Sequence, residues 1–542
     1  MSDWRKLALL AVLVVGLAPR LLFLRADADT SVSLLLDDSF YYFKVAQNVV
    51  DGYGSTFDRI HPTNGYHPLW LGMLLPIAAL ARDPWVLVRS AVALSILFNT
   101  LTAYLIWRVL SRSVRGWFIA ALGTALYFLN PRVTQSGVNG LEVALSTFCV
   151  MAGVALTLLR SRAPSEIRGH RFLLGLALGL MFLARTDNAF YILVLMGVAL
   201  VEEKPGRRFG TFCLLGAVSG LLVAPWLAWN VWRFGALMQV SGKACPYMLQ
   251  TLFLEAGHSR TDLWIEGARL SAKFFLKGLY DIPLGLPRWL VWGAGAFSVL
   301  ALSVRWYDTN LPGGKALRRS VGVLLALGAG AFLLLLVHAG LRWHPRDYYC
   351  DTAILLLVLG FSFALAFFDP GRVAESLVRC CYGTVPLDHG FLRTVLVGLS
   401  LAALVWGGTI TWRALDEGRY PHQSELLEAA YWLRDNVPED EVAAGFNVGI
   451  VGFFSGRQVV NLDGVINNAA YDALVQRDLF GLMRRAGVRY YVDYDPFMLD
   501  RYRSFWGEDR EAVQMTPVAT IRRPDVPLWC GSPVRVLRLD WR

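Results

Sequence analysis

"HPLWLGMLLPIAALA" occupies residues 67–81, and whether it crosses a membrane decides the topology of everything after it. The run falls short of the roughly 20 apolar residues a helical crossing needs, and Pro76 interrupts it. Counted as a span, it would place the later basic clusters on the outer face. Read as a helix lying in or dipping into the interface, it leaves them inside, where positive charge belongs.

Working outward, the rest of the chain has a membrane composition. Of 542 residues, 55% are hydrophobic and 17% charged, and the mean hydropathy is +0.44. An ordinary soluble globule is excluded. A net charge of +10 would suit a nucleic-acid partner if it formed a stripe, but it sits in short clusters between apolar runs, so no nucleic acid is expected. The cysteines form no CxxC pair and imply neither a disulfide framework nor a zinc site. Cys245, Cys350 and Cys530 remain able to pair outside the cytosol.

"LALLAVLVVGLAPRLLFL" at 7–24 follows Trp4, Arg5 and Lys6, and "ADADT" beyond it resembles a cleavage site. Its length fits a retained anchor better than a signal core. Further apolar runs begin near Val86, Trp117, Leu141, Phe172, Ala189, Thr211, Leu286, Val321, Thr352 and Thr394. With the first run they make about eleven spans. The clusters Arg108/Arg112/Arg115, Arg160/Arg162/Arg168/Arg171, Lys204/Arg207/Arg208, Arg305/Lys315/Arg318/Arg319 and Arg372/Arg379/Arg393 fall in alternate connections. They share the side of the N-terminus, the cytoplasmic one.

The expected fold is therefore mainly α: a polytopic helical unit over 1–413 and a small extracytoplasmic α/β domain over 414–542, in a multi-pass plasma (inner) membrane protein. The first external loop, 25–84, is long enough to be functional. The other external stretches are "NPRVTQSGVNGLE" (130–142), "ARTDNA" (184–189), Asn230 to about Gly285, and "LRWHPRDYYC" (341–350). In the tail, "SELLEAAYWLRDNV" reads as an amphipathic helix, and "EVAAG", "RQVVNLDG" and "VRYYVDYD" read as strands. No Gly-rich phosphate loop follows a strand there, so no nucleotide site is supported.

Within the first loop, "DDSFYYFKVAQNVVDGYG" (37–54) pairs two carboxylates with aromatics. Asp38 reads as an N-cap, with Gly52 and Gly54 suited to end the helix. That leaves the second carboxylate unexplained, and it leaves Tyr41 and Tyr42, three and four residues on from Asp38, as aromatic faces suited to a sugar. Adjacent carboxylates repel, so one holds a raised pKa, as a general base requires.

"DDSFYYFKVAQNVVDGYGSTFDRIHPTNGYHPLW" (37–70) resembles the first external loop of integral-membrane glycosyltransferases of the GT-C superfamily. The resemblance is closer to the branch with the mycobacterial-type arabinofuranosyltransferases. "NGLEVAL" (139–145), "ARTDN" (184–188, Thr186 standing where that branch has proline), "HPRDYYC" (344–350) and "WLRDNVPEDEVAAGFNVGIVGFFSGRQVVNLDGVINN" (432–468) resemble its later elements, in order.

The resemblance implies transfer of a single sugar from a polyprenyl-phosphate donor to a hydroxyl of a glycan, lipid or protein acceptor, outside the cytosol. Arginine outnumbers lysine, a composition associated with GC-rich bacteria and thus with arabinan- or mannan-like cell-wall biogenesis. Asp38 is the expected base, with Asp37 its partner or substitute. The leaving phosphate wants cations: Arg346 first, then Arg342 and Lys243. Tyr348 joins Tyr41 and Tyr42 as a sugar or acceptor contact. Glu142 is a candidate acceptor ligand or, with Asp38, a ligand for a divalent cation such as Mg, Mn or Ca; it also fits a solvated span end. Arg185 and Asp187 fit substrate contacts or a structural ion pair. His67 fits a phosphate or sugar contact, or the cap of a turn at Asn64 and Gly65.

The rival class is a polytopic transporter or lipid-linked sugar flippase. It is disfavoured because no internal repeat is present and the polar residues gather at one face. An oligosaccharyltransferase is disfavoured by the lack of a "WWD" signature, for which "SFWGED" (504–509) is a poor substitute.

Overall fold

The computed structural model describes residues 3–113, 117–159, 164–281, 314–341, 351–367, 418–495, 497–507 and 513–542, with a few single positions between 296 and 413. Helix α1 (Asp3–Phe23) leads into three helices of the first loop, α2 (Ala28–Leu34), α3 (Asp37–Val50) and α4 (Pro68–Leu80). Then follow α5 (Pro84–Ser113), α6 (Trp117–Phe128), α7 (Pro131–Ser136), α8 (Val143–Leu158), α9 (Pro164–Ala184), α10 (Ala189–Val201), α11 (Pro205–Phe234), α12 (Ser241–Glu255), α13 (Arg260–Asp281), α14 (Gly314–Leu341) and α15 (Asp351–Phe367).

Among the described residues, five helices are long and apolar enough to cross a membrane: α5, α11 and stretches of α1, α9 and α14. Helices α6, α8, α10 and α15 are apolar but shorter, so they do not reach a full crossing length within the described residues. The expected spans near Leu286 and Thr394 lie largely outside those residues; the others fall on described helices. Helix α4 is apolar and also short, as expected of an interfacial element, and it packs on α3, α5 and α9.

Helix α1 is part of the bundle. Its Arg20 is fully buried, with the guanidinium 4.2 Å from the centre of the Phe128 ring, and Nη1 donates to the Gly16 carbonyl. Helix α8 is apolar all round and correspondingly enclosed by α5, α9 and α10.

The tail forms a mixed five-stranded sheet in the order β2-β1-β3-β5-β4. Strands β1 (Val442–Gly445), β2 (Gln458–Asn461) and β3 (Val488–Tyr494) are parallel, and β5 (Val534–Trp541) runs antiparallel between β3 and β4 (Val513–Ile521). Strand β1 is a fully buried run without a polar side chain, as parallel strands tend to be, and β2 buries Val459 and Val460 beside it. Helix α16 (Gln423–Asn436) is the amphipathic helix read from the sequence, and α17 (Gly449–Phe454) connects β1 to β2. The sequence reading contained no counterpart of β4 and β5.

This sheet unit is bolted to the first loop. Helix α3 is packed between α4 and α17, and α16 packs on α2. Phe40 and Phe43 meet Phe453 at ring-centroid distances of 5.8 and 5.7 Å. The Asp37 carboxylate accepts from the backbone N–H groups of Gly449 (3.0 Å) and Ile450 (2.8 Å). Gly449 is required there, because a Cβ would collide with the Asp37 carbonyl and carboxyl. Cys245 and Cys530 form no disulfide with each other, and Cys350 lies outside the described residues.

Replacing Gly449 with alanine therefore forces α17 away from α3. Overpacking of this kind costs about 1–3 kcal/mol. The expected result is a lower thermal unfolding midpoint for the detergent-solubilised chain; an unchanged midpoint would show that this contact is not tight.

Candidate active site

Helix α3 begins at Asp37, and its N-cap is Leu36, which makes no side-chain cap. The N-cap reading of Asp38 is therefore corrected: both acids lie in the first turn, where the helix dipole favours them. Asp37 meets unpaired helical N–H groups, and they belong to α17.

The carboxylates form a cluster that reaches across to the sheet unit. Burial pushes the Asp37 carboxyl up to about 7 despite its backbone hydrogen bonds, with Asp38 adding repulsion. Asp463, just beyond β2, is pushed by burial up to about 8, again with Asp38 and Asp37 adding to it, while Oδ1 accepts from the Val465 N–H. Asp493 on β3 is raised by burial to about 6 and accepts from the N–H groups of Phe446 and Asn447. Asp37, Asp463 and Asp493 are thus engaged by backbone donors.

Tyr41 and Tyr42 do not present rings to a sugar, contrary to expectation. Both are buried, at 4% and 7% exposure. The Tyr41 hydroxyl donates to the Phe446 carbonyl and accepts from Asn461 Nδ2, and its ring meets Phe57 edge-on. Tyr42 points the other way, into a second network.

That network unites three sequence motifs. The Tyr42 hydroxyl donates to Glu142 Oε2 (2.9 Å) and accepts the His67 backbone N–H (3.1 Å). Burial and the nearby Glu142 keep the Tyr42 phenol protonated, well above its ordinary range. Arg185 Nη1 donates to Glu142 Oε1 (2.6 Å), while Nε and Nη2 grip Asp187 at 3.0 and 2.7 Å. Burial lowers the His67 pKa, which favours the neutral ring; Nδ1 lies 3.4 Å from Gln239 Nε2 and Nε2 lies 3.7 Å from Glu142.

The local backbone explains the convergence. Asn139 and Gly140 of "NGLE" run against α3: the Leu36 N–H donates to Asn139 O, and Trp70 Nε1 donates to Gly140 O. Gly140 has φ +77°, and a side chain there would strike Leu35 and Ser39. Glycine thus lets the motif pass close enough to deliver Glu142 to Tyr42.

Arg185 and Asp187 are a bidentate ion pair, and Glu142 is their third member rather than a solvated span end. The pairing of Glu142 with Asp38 around a divalent cation does not fit this geometry. Both Glu142 oxygens are committed, and the adjacent guanidinium would repel a metal. No group of three or more His, Cys, Asp or Glu is placed to hold a metal among the described residues. Lys243 on α12 has Asp472 of the sheet unit as an electrostatic neighbour. Arg342, Arg346 and Tyr348 lie outside the described residues.

Sequence reasoning missed Asp463, Gln239 and His338. Asp463 followed by Gly464 reads as a turn after a strand, and only docking of the sheet brings it to α3. His338 ends α14 beside Asp187 and Arg185. Arg132, Arg185 and Arg419 all lie within electrostatic reach of Asp351.

Among solved structures, the chain is similar to the oligosaccharyltransferase AglB of Archaeoglobus fulgidus, at 13% identity and a TM-score of 0.60 over 95% of this chain and 73% of that one. It is similar to ArnT of Cupriavidus metallidurans bound to undecaprenyl phosphate, at 14% identity and a TM-score of 0.55 over 97% of each chain. Other AglB structures contain an inhibitory peptide with dolichol phosphate, or zinc with sulfate. Mycobacterial arabinofuranosyltransferase AftD superposes at a TM-score of 0.45 over 99% of this chain and 40% of its own, too loosely to rank that branch above others. Residues 413–529 match a family model described as a domain of unknown function, DUF8728. No curated protein matches the sequence. The chain has the GT-C fold.

Two predictions follow from the geometry. Glu142→Ala leaves the buried Arg185 and the Tyr42 hydroxyl short of an acceptor and costs about 3–5 kcal/mol, whereas Glu142→Gln, which keeps an acceptor oxygen, costs less. Thermal unfolding of the two variants checks the order. Second, Asp37 and Asp463 hold protons in the folded chain that an unfolded chain releases near pH ~4. Their stabilising contribution is present below that pH and lost as pH rises through 7 to 8. The unfolding midpoint should fall between about pH 5 and about pH 8.5, and Asp37→Asn should flatten that slope.

Proposed function

We propose that this chain is a membrane glycosyltransferase that moves one sugar from a polyprenyl-phosphate donor to an acceptor hydroxyl on the extracytoplasmic face. One observation carries the reading: within a GT-C fold, the first-loop acids, "NGLE" and "ARTDN" converge on one end of the helical unit, beneath the sheet unit. The division into a transferase unit over 1–413 and an extracytoplasmic unit over 414–542 belongs to the same proposal. So does placement in the plasma membrane. Arabinofuranose as the sugar, in cell-wall glycan assembly, rests on motif resemblance alone.

The mechanism needs a base and a cation. The acceptor oxygen attacks the anomeric carbon, the bond from that carbon to the phosphate oxygen breaks, and the hydroxyl proton passes to a carboxylate. Asp37 is committed to two backbone amides, so this role falls to Asp38, beside it in the same turn. A single displacement of this kind inverts the anomeric centre. The leaving polyprenyl phosphate takes the bonding electrons, and its charge calls for an arginine. Arg185 is poorly suited to it, since two carboxylates already neutralise it.

The test uses purified full-length chain, radiolabelled polyprenyl-phosphate sugars and an extract of acceptors. Wild type should consume one donor, and Asp38→Asn should lose about 10²- to 10⁴-fold in turnover while still binding that donor. Full activity in Asp38→Asn would remove the base assignment. Donor binding without any transfer would remove the enzyme reading.

A further inference from the structure

Helix α8 carries Glu142 at its start and a different feature toward its other end. Every residue of α8 is buried except Phe148, Ala152 and Leu156. Their spacing of four places them on one stripe of the helix. That stripe is the floor of a groove of about 470 Å³, a volume typical of ligand sites. Leu101 and Leu105 of α5 form one wall. His170 of α9 closes the other side, with Nε2 2.6 Å from the Leu156 carbonyl oxygen. At 1.5 Å per residue, Leu156 lies about 20 Å along the axis from Glu142, so this is not the candidate active site.

The groove is apolar, but its mouth is not. Tyr104 lines it, and Arg108 and Arg112 follow at intervals of four on the same face of α5. Arg108 Nη1 donates to the Tyr104 hydroxyl at 2.9 Å, which turns the guanidinium back toward the groove. Arg168, two residues before His170, is exposed on the neighbouring helix. Among the described carboxylates, Glu203 is held by Arg171 and Glu202 by Arg319. Neither Arg108 nor Arg112 has a carboxylate within ion-pair distance among the described residues.

We infer that this groove binds an anionic glycerophospholipid, with one acyl chain along the Phe148–Ala152–Leu156 stripe and the phosphate at Arg108 and Arg112. An apolar channel between apolar helices of the bundle that ends in a tyrosine and two arginines matches the two-part chemistry of such a lipid. Basic pockets between helices on the cytoplasmic side recognise anionic headgroups in this way, and the positive-inside rule places this end there. A free anion would leave the stripe uncovered; a zwitterionic lipid would leave the arginines without a net counter-charge.

The inference is independent of the proposed reaction, and its test reads lipid retention rather than transfer. The full-length chain, delipidated in detergent, is incubated with phosphatidylglycerol or phosphatidylcholine and examined by native mass spectrometry. The expected result is one phosphatidylglycerol retained in preference to phosphatidylcholine. The double variant Arg108→Gln/Arg112→Gln, at one half-buried and one exposed position, should weaken that retention about 30-fold, the loss expected for two cationic side chains at headgroup level. Ala152→Trp, which fills the groove, should abolish it. Equal retention of both lipids by wild type, or unchanged retention in the arginine variant, would overturn the inference. So would loss of bound undecaprenyl phosphate, with phosphatidylglycerol kept, in Ala152→Trp: the groove would then belong to a donor tail.

Discussion

Two backbone amides at the start of α17 are held by one carboxylate at the start of α3, and the candidate site is built around that junction. Helix α17 points its N-terminus at Asp37, so its unpaired N–H groups favour an acceptor there, and the acid also sits in the first turn of α3, where that helix's dipole favours it. Burial works against the charge and raises the pKa to about 7. The contact is therefore a balance between desolvation and hydrogen bonding. Its geometric condition is stricter than its energetic one: α17 approaches only because Gly449 has no side chain.

The junction fixes α3 from above, and the polar network fixes it from below. Tyr41 faces the sheet unit and Tyr42 faces Glu142, so successive residues of one helix are tied to different parts of the chain. The lower network holds one arginine against two carboxylates, with the tyrosine hydroxyl and the backbone N–H of His67 completing it. Buried charge is tolerable where every partner is supplied in this way, and the resulting geometry is rigid. Asp38, in the first turn of the helix so fixed, lies within electrostatic reach of Asp37, Tyr41 and Asp463.

Much of this was legible in the sequence because membrane helices and motifs are local signals. The short run at 67–81 with Pro76 is an interfacial-length helix, and the "DD", "NGLE" and "ARTDN" segments do meet. Side-chain roles were less legible. Tyr41 and Tyr42 look like a sugar platform when only the helix is considered, but the sheet and the second loop bury them from opposite sides. Asp463 is about 420 residues from Asp38, and its pairing with the cluster depends on a docked sheet that no local pattern encodes. Likewise β4 is an edge strand with few buried residues and Pro517 within it, so its sequence lacks the apolar alternation that marks a strand.

The distribution of charge also constrains where a phosphate can be received. The cluster at Asp37, Asp38 and Asp463 is acidic and would repel a phosphate placed directly against it. Arg185 lies nearby, but Glu142 and Asp187 hold all of its fork. A leaving phosphate therefore needs a cation from outside both networks. Arg132 and Arg419 lie within electrostatic reach of Asp351, the first residue of α15, and Arg419 is oriented by Gln135. Asp351 directly follows the segment that carries Arg342 and Arg346. Under the proposed reaction, Arg132 and Arg419 are the described cations around Asp351 that stand outside the fork of Arg185, and a leaving phosphate would call on cations of this kind.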